Sequence, residues 1–192
     1  MKVRKLLIMT AVLTLIFGTA AFAESVSQNI KVVINKDEIK DGGLLVDNKA
    51  YLGVGTMAKA MQAFVSWDND AKKATINKPN VHMFTMNDKQ AFQSVSKGGR
   101  YKFFVHTQVD SLKTDISSLK FTISTPYGEE TLIESRNAGD SDFPDGKEDF
   151  LLNSKEISYD FQSAGRYVVR FWMKPSGDTN MQVVAEKVII VK

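Results

Sequence analysis

The chain has 192 residues, with 25 Lys and Arg against 22 Asp and Glu and a formal charge of +3. That length holds one ordinary domain or two small ones, and 43% hydrophobic residues suffice for a buried core. The absence of cysteine excludes disulfides, thiol nucleophiles, Cys-ligated zinc and iron–sulfur clusters. His82 and His106 are the only histidines, which leaves little room for His-based chemistry.

Lys2, Arg4 and Lys5 precede an apolar run over residues 6–17, broken only by Thr10 and Thr14, and Ala21-Phe22-Ala23 ends it in a small-x-small pattern. This arrangement predicts a secretory signal peptide over residues 1–23, cleaved after Ala23. Twelve residues make about 18 Å of helix, short of a bilayer core of about 30 Å, so the run reads as a leader and not an anchor. The segment carries three of the positive charges and no acidic group, so the chain from Glu24 onward has 22 of each sign. Its balance removes the electrostatic case for nucleic acid as a partner. No second apolar run reaches spanning length, so no stable membrane insertion is expected after the leader is removed.

Residues 28–77 mix strand and helix signals. Ile30, Val32 and Ile34 alternate with Lys31, Val33 and Asn35 as a strand, and Asp41-Gly42-Gly43 reads as a turn. A second strand starts at Leu44-Leu45-Val46, and Asp47-Asn48-Lys49 connects it tightly to Ala50-Tyr51-Leu52. Thr56 is a candidate N-cap for a short helix with Met57, Ala60, Met61 and Phe64 on one face. Val65-Ser66-Trp67, a turn at Asp68-Asn69-Asp70 and Lys73-Ala74-Thr75-Ile76 then predict a closing pair of strands. The run Val46-Asp47-Asn48-Lys49-Ala50-Tyr51-Leu52, the helix ending at Ala63, and Val65-Ser66-Trp67-Asp68 with Ala74-Thr75-Ile76 together resemble the copper amine oxidase N-terminal-like, or stalk, domain. Gly53 replaces the proline usual in that family, and Asn48-Lys49 replace Gly-Arg. The resemblance implies a small α+β domain of β-β-α-β-β order over residues 24–78. It implies no copper, because the stalk of amine oxidases neither catalyses nor holds the metal.

Beyond Lys78-Pro79-Asn80 the pattern becomes purely β. A strand is expected over residues 81–86, and Gly98-Gly99 marks a turn. Tyr101, Phe103, Val105, Thr107 and Val109 alternate with polar and aromatic neighbours, as do Leu119, Phe121 and Ile123. Pro126-Tyr127-Gly128, Ser163-Ala164-Gly165 and Pro175-Ser176-Gly177-Asp178 separate further alternating runs at 157–161, 167–172 and 182–191. About seven short strands with no helical period predict an antiparallel β-sandwich over residues 79–192. Ser163-Ala164-Gly165-Arg166-Tyr167 resembles the entry to strand F of immunoglobulin-like domains, where a tyrosine fixes the corner by a hydrogen bond. The fold class expected for the whole is therefore mainly β: a small α+β stalk-like domain followed by an immunoglobulin-like sandwich.

Candidate sites are few. His82, Met83, Met86 and His106 are soft donors suited to copper, although strand alternation turns Met83 away from His82 and Met86. Methionines also fill cores. The segment 137–149 holds Asp140, Asp142, Asp145, Glu148 and Asp149, oxygen donors that suit calcium, but their spacing departs from the EF-hand register and equally describes a solvated loop. Trp67, Trp172, Tyr51, Tyr101 and Phe104 are candidates either for a flat glycan-binding surface or for packing. No nucleophile with a base, phosphate loop or His-x-x-x-His pair is present, so no catalytic site and no cofactor are expected. The combined expectation is a secreted, non-catalytic binding or structural protein of a bacterial cell envelope, with an envelope protein or wall polysaccharide as partner. An extracellular copper- or calcium-binding protein and a small carboxylate-based hydrolase are the alternatives.

Overall fold

The computed structural model describes residues 27–192; the expected signal peptide lies outside the described residues. The chain divides into two compact units, the first ending at Leu52 and the second being Gly53–Lys192, so the stalk-like stretch spans the division. Among the described residues no helix is long and apolar enough to cross a membrane.

The first unit is an antiparallel sheet of β1 (Gln28–Ile34), β2 (Asp37–Val46) and β3 (Lys49–Leu52), in that order. Both connections are two-residue hairpin turns whose residues take positive φ: Asn35 and Lys36 at 53° and 75°, Asp47 and Asn48 at 49° and 60°. Such turns follow the right-handed twist of the strands they join. Asp41-Gly42-Gly43, expected to be a turn, is instead a bulge inside β2: the register slips between Ile30 and Val32, with Asp41 at φ 52°. The glycines serve close approach. A Cβ on Gly43 would lie 2.9 Å from Leu52 and 3.0 Å from the Tyr51 carbonyl oxygen.

The second unit opens with α1 (Val54–Ala60) and a hairpin of β4 (Phe64–Asp68) and β5 (Lys73–Asn77). The helix is capped by the backbone of Gly53 and not by Thr56, and Gln62 at φ 56° stops it before Phe64. Ala58, not Met61, is therefore its buried residue, and Phe64 enters the core from β4. Asp68 folds the hairpin tip by accepting the amides of Asp70 and Ala71, each at 3.0 Å.

The rest of this unit is built of β6 (Asn80–Met86), β7 (Ala91–Phe92), β8 (Ser94–Val95), β9 (Arg100–Asp110), β10 (Ile116–Ser124), β11 (Glu130–Asn137), β12 (Phe150–Asn153), β13 (Ile157–Asp160), β14 (Gly165–Pro175) and β15 (Gln182–Val191). One sheet runs β11-β10-β14-β15-β8 and the other β12-β9-β6-β7, with β13 also pairing β9. All pairings are antiparallel except β15 with β8. The alternation at 101–109 and 119–123 places Phe103, Val105, Leu119, Phe121 and Ile123 inside, all fully buried. Phe121 stacks on Phe171 across the sheet at 4.5 Å between ring centres. The corner resemblance holds in atomic terms: the Ser163 amide donates to the Tyr167 hydroxyl at 3.2 Å, and that tyrosine is buried. The chain is thus mainly β, with antiparallel sheets of immunoglobulin-like character.

One polar pair sits where the sequence pattern predicts no strand. On β11, Glu134 and Arg136 lie opposite Phe121 and Leu119, so they share the inward face. Arg136 Nε donates to Glu134 Oε1 at 2.9 Å. The other end of the guanidinium donates to the Asn153 carbonyl at 2.6 Å, at the end of β12 in the opposite sheet. The second Glu134 oxygen accepts the Lys155 amide at 2.6 Å. This cluster closes one side of the sandwich.

Candidate functional site

The copper candidates are only partly brought together. Met83 points into the core at 7% exposure. His82, Phe84 and Met86 share the outer face of β6, and the register sets His106 of β9 opposite Phe84. His106 thus lies diagonally between His82 and Met86, which are four strand positions apart, about 13 Å, and so do not reach one ion together. His106 Nδ1 is engaged with Asn153 Oδ1 at 2.7 Å.

The acidic loop is spent on local structure. Asp140 accepts the Asn137 amide at 2.7 Å, Asp142 reaches Arg136 at 3.3 Å, and Asp149 accepts the Ser111 amide at 2.8 Å. Glu148 pairs with Lys113, whose pKa is raised first by that hydrogen bond and then by the carboxylate's charge. Asp145 is exposed. Among the described residues no three His, Asp or Glu side chains gather in a group that could hold a metal ion.

The aromatic candidates are divided between the two units and differ in their surroundings. Tyr51 belongs to the first unit, and the Tyr101 hydroxyl is used by the Ser96 amide at 3.0 Å. Trp172, on the outer face of β14, donates to Thr122 at 2.8 Å and carries the Lys120 ammonium over its ring at 4.7 Å. Thr122 in turn donates to Glu130, which pairs with Arg170 at 3.2 Å. Burial works against the Arg170 charge, but the hydrogen bonds it donates to Glu186 and Glu130 hold its pKa above the ordinary value. Tyr51 is exposed in the first unit, and in the second unit Trp67, at 58% exposure, stands out from the half-buried Tyr101, Phe104 and Trp172.

Trp67 edges a groove within the second unit. One cleft of about 480 Å³ is lined by Phe64, Val65, Ser66, Trp67 and Asn77 of the hairpin, by Thr114, and by the turn Pro175-Ser176-Gly177-Asp178. Another, of about 540 Å³, is lined by residues of α1, by Val65 and Trp172, and by Asp178 and the start of β15. Val65 and Asp178 belong to both, so the two clefts adjoin at these residues and together form one grooved surface. Its walls are fixed from several sides. Asn77 donates to Thr114 at 2.9 Å, and the Ser176 amide donates to the Asp115 carbonyl at 2.8 Å. Asp178 accepts the Thr179 amide at 2.8 Å and the Gln182 side chain at 3.3 Å. Among the described residues lining either half, Asp178 is the only carboxylate. Sequence patterns do not show this groove, because residues 64–67 meet residues 175–183 only through the fold; the one local signal is a tryptophan beside a polar turn.

No protein-family model matches the chain, and no curated protein matches it. Among solved structures it is similar to a Niemann-Pick type C2 protein from the Japanese carpenter ant, at 8% identity and a TM-score of 0.31, covering 59% of this chain and 89% of that one. A likeness of that degree carries no inference about function.

Proposed function

We propose that this protein is an exported, non-catalytic binding module of a bacterial cell envelope, and that the groove between the β4-β5 hairpin and the β14-β15 turn is its working surface. The observation that carries the reading is the adjacency of the two clefts at Val65 and Asp178, with an exposed tryptophan at one edge. Concave, partly apolar surfaces with a few convergent polar groups are where proteins hold ligands. Acid–base hydrolysis by carboxylates needs two such groups facing the substrate, and this groove offers one. The export signal read in the sequence and the stalk-like run at 46–76 support a role outside the cytoplasm. In that arrangement the stalk-like stretch contributes the hairpin wall of the groove, and the sandwich contributes the other.

Cosedimentation of the chain lacking residues 1–23 with purified envelope material tests the reading. Retention is expected, and Ser176→Trp, which fills the first cleft from an exposed position, is expected to abolish it. Retention of that variant at the level of the parent overturns the assignment of the groove.

A further inference from the structure

We propose that the groove takes an extended, uncharged polysaccharide, stacked on Trp67 and hydrogen-bonded at Asp178; this rests on the groove being the working surface. The indole N–H of Trp67 is already satisfied by Asn69 Oδ1 at 2.7 Å. What the residue offers a ligand is the apolar face of its ring. Among the described residues no cation and no second aromatic ring lies over that face, whereas Trp172 is covered by Lys120. The C–H face of a pyranose is a natural partner for such a ring, because it is flat, apolar and electropositive at its hydrogens.

The polar lining points the same way. Ser66, Asn77, Thr114 and Ser176 around the first cleft are neutral hydroxyls and amides, matched to sugar hydroxyls. Asp178 is held in place by Thr179 and Gln182, and a carboxylate oxygen has room for further donors, which a sugar O–H supplies. No basic side chain lines the first cleft among the described residues, and the second holds Lys59 together with Asp178, so the two clefts carry one charged side chain of each sign and suit a neutral chain better than a polyanion. The second cleft continues from the same wall, which suits a chain passing through both halves better than a single small molecule.

Isothermal titration with two soluble series, cello-oligosaccharides and N-acetylated chito-oligosaccharides, tests the inference. Saturable binding of at least one series is expected, tightening with length as the second cleft is engaged. Trp67→Ala is expected to weaken it about tenfold, and Asp178→Asn several-fold, with the melting temperature of both variants close to that of the parent. Absence of saturable binding to both series overturns the inference, as does binding that survives Trp67→Ala unchanged. Binding of an unrelated extended peptide in the groove, blocked by Ser176→Trp, with neither sugar series bound, overturns the sugar assignment while sparing the groove. Envelope retention unaffected by Ser176→Trp overturns both.

Discussion

Arg136→Met takes the cation out of the closed side of the sandwich and leaves Glu134 behind. The side chains of Arg136 and Glu134 are 9% and 2% exposed, so the orphaned carboxylate keeps little water and only the Lys155 amide as donor. Asn153 loses a 2.6 Å hydrogen bond and Asp142 its partner at the same time. Removing one member of a buried pair costs about 3–5 kcal/mol. For a unit of this size that corresponds to a fall in Tm of about 10–20 °C. Denaturant unfolding followed by tryptophan fluorescence gives the free energy directly, provided the slope against denaturant stays constant. Replacing both residues, Glu134→Leu with Arg136→Met, is expected to recover much of the loss, since apolar groups of similar volume often substitute for a buried pair without penalty. A single variant within 1 kcal/mol of the parent, or a double variant as unstable as the sum of its singles, would refute the reasoning.

Thr107 lies in the core with a hydroxyl that has no partner, so Thr107→Val is expected to stabilise the unit by about 1 kcal/mol in the same unfolding assay. Tyr167→Phe deletes the hydroxyl that accepts the Ser163 amide and is expected to cost about 1 kcal/mol, with faster exchange of that amide seen by hydrogen-exchange NMR. The Asp160 pKa is lowered, chiefly by its hydrogen bond from Arg100. Its contribution is therefore present above the ordinary carboxylate pKa and is lost as pH falls through the lowered value. Asp160→Asn should flatten the acid limb of stability against pH, and an unchanged limb would count against the pairing.

The sandwich core was legible in advance because its strands obey period two: Phe103 and Val105, or Leu119, Phe121 and Ile123, announce an inner face by alternation alone. The corner at Tyr167 was legible for a local reason, since donor and acceptor are four residues apart. β11 was not, because Glu134 and Arg136 occupy its inward positions, and two charges in an otherwise short strand erase the apolar signal. Gly42-Gly43 misled for a related reason. Glycine marks both a turn and a close approach, and only the neighbours Leu52 and Ile30 decide between them. Of the candidate residues, Trp67 was recognisable as an aromatic with a possible surface role. Its companions Asn77, Thr114 and Asp178 carry no sequence pattern at all, and their association is a property of the tertiary structure.

β11 is also the outermost strand of its sheet. A free strand edge is a template for any extended chain that meets it, and charges pointing inward from such a strand are a known deterrent. A second chain adding to this edge in register would have to place its own side chains beside a fixed carboxylate and guanidinium. The double replacement that restores folding stability would remove that deterrent. It should give a protein that melts normally yet self-associates at high concentration, so that turbidity, and not Tm, reveals what the charges protect.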